Sequence, residues 1–166
     1  MHRRIIQLDF KPVSEDEYIN SSVVLDSEEW FLNQIADSVS DHNCRTDDIN
    51  WFVGWLESFA PIAFDAENST ITFSPAWVHA YFTKRHQNFL KTLEDLSCYT
   101  SFDGFVHGAG LGSEISCLQG AYDDQYGFYI FSNPDSEQLM TFDAFLRHNA
   151  FYERPYYIGG IVDYHF

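Results

Sequence analysis

The sequence predicts an α+β fold: one domain, built as a mainly antiparallel sheet with three to four helices packed on it. Three observations lead there. The chain has 166 residues, the length of one domain. Segments of period two and segments of period 3.6 are mixed along it, without the regular βαβ succession of a parallel sheet. Aromatic residues reach 18%, with sixteen Phe, ten Tyr and four Trp. Each buried aromatic removes about 150–250 Å² from water, so a core can form despite few Leu and Val. No linker, internal repeat or low-complexity run divides the chain.

The elements follow in order. Residues 4–10 alternate, with Ile6, Leu8 and Phe10 on one face, and Pro12 ends the strand. Residues 14–22 are polar and read as loop. Asp26 can cap a helix with Glu29 at its third position; Leu32, Ile35, Ala36 and Val39 carry the apolar spacing on to about Asp41. Thr46-Asp47-Asp48 opens a second helix. Ile49, Phe52, Val53 and Leu56 form one stripe on it, and Trp51, Trp55 and Phe59 another. Ile62–Asp65 and Thr70–Phe73 pair as a hairpin. Ser74-Pro75 starts the longest helix, with Val78, Phe82, Phe89, Leu93 and Leu96 as its predicted buried face.

Residues 98–120 carry five glycines that break any period, although Ser113–Leu118 could form a helical turn. Tyr126–Phe131 reads as a strand, Asn133-Pro134-Asp135 as a turn and Thr141–His148 as a short helix. Tyr156–Ile158 and Ile161–Tyr164 flank Gly159-Gly160, which predicts a tight hairpin.

A search for chemistry finds no catalytic, cofactor or metal motif. His42 and Cys44 are close in sequence, but a thiol nucleophile needs a base within hydrogen-bond reach. His79 and His86 are two helical turns apart, about 10 Å, too far to share one metal ion. His107-Gly-Ala-Gly-Leu-Gly112 lacks the spacing of a phosphate-binding loop, and the role of the glycine-rich segment 104–112 stays open. Asp123, Asp124 and Asp163 could join His148 or His165 in an acid–base or metal site. The cysteines, Cys44, Cys98 and Cys117, are too few and too scattered for a disulfide framework.

Charge is the outlying property. The formal net charge is −16. Nucleic acid and anionic membranes are repelled by such a surface, whereas a basic protein is attracted. The charges are also segregated. Between Pro12 and Thr83 stand thirteen acids against one base, Arg45; between Thr92 and Leu146, nine acids and no base. Glu29, Asp37 and Asp41 fall at i+4 steps or multiples of it, with Glu28 beside them and no Lys or Arg to pair with. Asp47, Asp48 and Glu57 extend the stretch, and Trp51 and Trp55 lie on the same helix. Aromatics among acids suit a binding surface, with anchors ringed by charges that steer association. Glu28, Glu29, Asp37, Asp41, Asp47, Asp48, Trp51, Trp55 and Glu57 are therefore the predicted partner-binding residues.

In charge and size the chain resembles two groups of small acidic inhibitors. One is the bacterial immunity proteins that neutralise nuclease toxins. The other is the phage- or plasmid-encoded DNA mimics that block restriction or CRISPR systems. The resemblance covers no alignable motif. It implies a non-enzymatic inhibitor that binds a basic nucleic-acid-processing protein; the net charge speaks against direct contact to nucleic acid or membrane, the motif search against a cofactor, and the cysteines read as reduced thiols of a cytoplasmic protein. Two alternatives stand beside it. One is a small hydrolase-like enzyme using His107, His148 or His165 with acids of the C-terminal half. The other is an acidic scaffold module.

Overall fold

The computed structural model describes residues 1–41, 44–97, 101–108, 110–132, 138–149 and 153–166. The expected turn at 133–135, and Cys98 and His42, lie outside them.

Seven strands form one mixed sheet: β1 (His2–Asp9), β2 (Ser38–Asp41), β3 (Ala63–Asp65), β4 (Thr70–Thr72), β5 (Tyr129–Ser132), β6 (Gln138–Thr141) and β7 (Pro155–His165). Their order is β3-β4-β7-β1-β5-β6, with β2 also paired to β7. Only β1 and β5 run parallel; every other pair is antiparallel. Seven helices accompany the sheet among the described residues: α1 (Ser21–Ser27), α2 (Glu29–Gln34), α3 (Arg45–Glu57), α4 (Pro75–Ser97), α5 (Phe102–His107), α6 (Leu111–Tyr122) and α7 (Phe142–Asn149). The α+β class and the mainly antiparallel sheet hold; among the described residues seven α-helices stand where three to four were expected, and they cover both faces of the sheet.

The central strands explain why. Along β1, Ile5 belongs to one apolar cluster and Ile6 and Leu8 to the other; along β5, Tyr129 and Phe131 oppose Ile130 in the same way. A strand buried on both sides needs a layer on each. Ile49, Phe52, Val53 and Leu56 of α3, Trp77 and Tyr81 of α4, and Phe142, Phe145 and Leu146 of α7 fill one side. Val24 of α1 and Phe31 of α2 fill the other.

Two expected elements differ. The helix from Asp26 to about Asp41 is instead two short helices and a strand. Asn20 is the cap, its side chain accepting from the Val23 N–H at 3.1 Å. The chain leaves helical geometry at Glu28 and ends α2 at Gln34. Residues 38–41 then pair with residues 162–165, because the eleven-residue β7 runs on past β4 and exposes backbone groups that need partners. Tertiary pairing overrides a helical apolar spacing here.

The second difference is Gly159-Gly160, which is not a hairpin but the interior of β7. The register to β1 shifts there, Ile161 opposing Ile6 and Ile158 opposing Leu8, so one extra residue bulges out. Close approach requires glycine at 160, where a Cβ would collide with the Ile19 backbone; at 159 a Cβ would displace the Gln7 side chain. Gln7 plugs the bulge, accepting from the N–H groups of Gly160 and Ile19 at 2.8 Å each. Arg45 closes the other side, donating to the carbonyls of Gly159, at 2.8 Å, and Ile158.

Candidate protein-binding surface

The sheet alternation places Arg4 on the face of Ile6 and Leu8, where a guanidinium needs acids. It finds Asp48 of α3 at 2.7 Å and Asp163 of β7, whose second oxygen meets His2 Nδ1 at 2.7 Å. Asp48 is 3% exposed. The first turn of α3 is therefore clamped to the sheet by an ion pair, and Asp48 does not reach the surface as expected. The register of residues 4, 6 and 8 was a usable signal for this cluster, which the charge count alone misses.

Other bases also turn inward. Arg85 donates to the buried Asp143 at 2.6 Å and to Gly120 O at 2.8 Å. Asp143 in turn accepts from the Tyr81 hydroxyl at 2.7 Å and the Asp124 N–H at 3.0 Å. Burial and the neighbouring Asp143 carboxylate push the Tyr81 phenol well above its ordinary value, so it stays a donor. Burial likewise raises Asp124. Lys84 caps Ser58 O, and Arg147 lies 3.7 Å from Asp123.

Glu28 is a second correction to the predicted surface. It is buried, accepting from the Leu139 N–H of β6 at 3.1 Å and from the Trp30 indole N–H. Trp55 is a third. It is half-buried in the core between Phe128, at 4.7 Å, and Phe142, at 5.1 Å between ring centroids. Trp51 does reach the surface, its ring beside Phe128 and 5.4 Å from the Arg4 guanidinium.

Asp37, Asp41, Asp47 and Glu57 are exposed. Asp41 accepts from the Ser21 N–H at 2.6 Å, and Asp37 lies 3.7 Å from His165. Asp47 accepts from the Cys44 thiol at 2.7 Å, which holds that thiol above its ordinary range and keeps it protonated. Glu29 opens α2, with its side chain outside the described atoms. Of the three candidate histidines, His107 and His148 are exposed on α5 and α7, and the pairing with a carboxylate falls to His165. Among the described residues no three His, Cys, Asp or Glu side chains gather to hold a metal ion.

The feature that sequence reasoning missed lies in residues 90–115. The second half of α4 packs along α6, with α5 between them in sequence. This arm leaves Leu90, Leu93, Val106 and Ile115 exposed, with Phe102 at 81% and Phe105 at 73%. Leu93 was expected in the core. Between Thr92 and Ser116 stand Glu94, Asp95, Asp103 and Glu114, without any Lys or Arg. Exposed apolar side chains thus share a stretch whose charged residues beyond Lys91 are all acids.

No family model matches this chain, and neither does any curated protein or solved structure. No described helix is long and apolar enough to cross a membrane.

Proposed function

We propose that the protein is a non-catalytic inhibitor that docks on a basic nucleic-acid-processing protein and neutralises it. The observation that supports this most is the arm: exposed Phe102, Phe105 and Leu93 in a stretch with four acids and no Lys or Arg from Thr92 to Ser116. Exposed aromatics supply area that a partner can desolvate. The acids around them repel a second copy of the chain and attract a cationic surface. Asp37, Asp41, Asp47 and Glu57 add to the steering field, while Arg4 and Arg85 are engaged by buried acids and do little to cancel it. Phenylalanine anchors fit a compact contact of the immunity-protein kind better than a DNA mimic, which needs carboxylates spread at phosphate-like spacing.

Affinity capture at low salt, followed by assay of the captured protein, tests the reading. The expected partner is basic, its nuclease or nucleic-acid-binding activity falls in proportion to added inhibitor, and raising salt slows association steeply. Phe102→Ser with Phe105→Ser weakens the complex about a hundredfold or more if both are hot spots. A captured partner whose activity is unaffected, or no basic partner at any salt, overturns the proposal.

A further inference from the structure

Where the arm meets the body, α4, α6 and α7 enclose an open cavity of about 330 Å³. Its walls are mostly apolar, from Phe82 and Phe89 of α4 and Ala121 and Tyr122 of α6, but Arg85, His86 and Arg147 also line it. Two of the chain's nine Lys and Arg side chains thus share one small apolar cavity in a protein of net charge −16. Its volume is at the low end for ligand pockets, room for a single ring with a short tail.

The arginines are held in place without being saturated. Arg147 stacks over Tyr122 at 4.5 Å and Phe82 at 5.6 Å and donates through Nη2 to Tyr122 O at 2.6 Å. Its Nη1 is 3.7 Å from Asp123, an ion-pair distance too long for a hydrogen bond. Asp123 Oδ1 instead accepts from the Thr141 hydroxyl at 2.6 Å. Arg85 is anchored by Asp143 and Gly120, yet its Nε–H is buried without an acceptor. Both guanidiniums keep donor capacity beside aromatic walls. Their charges are partly offset by Asp123, Asp124 and Asp143, which selects against a dianion such as phosphate.

We propose that this cavity is a binding site for a small aromatic monocarboxylate, ring against Phe82, Phe89 and Tyr122, carboxylate on Arg147 with His86 at the rim. A free aromatic acid and the C-terminal carboxylate of a peptide ending in an aromatic residue share this chemistry. The site does not depend on the protein partner argued above and is tested without one.

The experiment is an NMR titration of the isolated chain with 3-phenylpropanoate, its amide, acetate, inorganic phosphate, and N-acetyl-glycyl-phenylalanine with its C-terminal amide. The expected result is saturable shifts confined to residues 82–89, 121–122 and 147 with 3-phenylpropanoate. The amide and acetate bind about tenfold or more weakly, the loss of one charge-assisted contact or of the ring. Phosphate leaves the cavity unshifted. The peptide acid binding as well as the free acid assigns the site to chain termini; its failure assigns it to free acids. Arg147→Gln weakens binding about tenfold. His86→Glu, an exposed position whose change does not endanger the fold, weakens it in the same direction, whereas Lys91→Gln does not. Absence of cavity-localised shifts, equal binding of the amide, or indifference to His86→Glu with Arg147→Gln overturns the proposal.

Discussion

The two halves of α4 occupy different surroundings. In the first, Trp77 and Tyr81 are almost wholly buried, and the Trp77 indole donates to Ala60 O at 3.1 Å. In the second, two to four turns further on, Leu90 and Leu93 are nearly half exposed. One continuous helix thus serves the body as a core element and the arm as a display element. Folding is driven by the first half, because burial removes apolar area from water; the second half has that free energy still to gain.

The comparison breaks most visibly at the buried end. Trp77→Ala removes an indole packed against Phe73 and Tyr81 and leaves the Ala60 carbonyl without its donor. The expected loss is about 3–5 kcal/mol in denaturant unfolding, the usual cost of emptying a large aromatic site. A loss below about 1 kcal/mol would mean that α4 is not part of the core.

Next in size is the clamp between α3 and β1, on the same face of the sheet. Asp48→Ala strips Arg4 of one of two carboxylates but leaves it Asp163 and some solvent, its side chain being 13% exposed. Loss of a charge-assisted hydrogen bond predicts about 1.5–3 kcal/mol, measured in the same way. A surface acid of the kind first expected at this position would cost almost nothing, so the measurement separates the two placements directly.

A smaller effect is expected at the root of the arm, where Asp124 is raised above its ordinary value of 3.8 mainly by burial, with the Asp143 carboxylate adding to it. A carboxyl raised in the folded state holds its proton more tightly there. Its contribution is complete below 3.8 and is lost as pH rises through the folded value. Asp124→Asn cannot ionise and escapes that loss. Stability of the variant relative to the parent should therefore be unchanged in acid and rise towards neutral pH. A constant difference across pH would show that the carboxyl is not desolvated.

Much of this architecture was legible in the residues. The hairpin of β3 and β4 and the start of α4 at Ser74-Pro75 follow from local turn and capping chemistry, Ser74 Oγ accepting from the Trp77 N–H at 3.2 Å; the second helix forms where expected but starts at Arg45, with Cys44 at the cap position and Asp47 and Asp48 in its first turn. Strand β2 was not legible. Leu32, Ile35, Ala36 and Val39 satisfy a helical period, and only the long edge of β7, more than a hundred residues away, decides otherwise. Gly159-Gly160 reads the same in a turn and in a bulge; the nearby Ile19 backbone makes the difference. On the candidate surface, charge alone places Asp37, Asp41, Asp47, Glu57 and Trp51 outside but does not tell them from Glu28 and Asp48; for Asp48 the inward register of Arg4 was a signal, for Glu28 there was none. Those two point inward because Leu139 N and Arg4 need acceptors.

The arm escaped for a different physical reason, and that reason supplies the smallest predicted effect. An apolar period along a helix is the same whether its partner is the chain's own sheet or another molecule. Leu93 satisfies the pattern, yet the fold leaves it exposed; Phe105 lies where glycines break any period and is exposed as well. Substituting an exposed side chain removes little burial, so Phe105→Ser and Leu93→Ser should each leave unfolding stability within about 0.5 kcal/mol of the parent. Both should also reduce nonspecific self-association, because the exposed apolar area shrinks. A loss comparable to that of Trp77→Ala would show that residues 90–115 fold back onto the body in solution. The contrast between the halves of α4 would then vanish, and with it the anchor on which partner binding is argued.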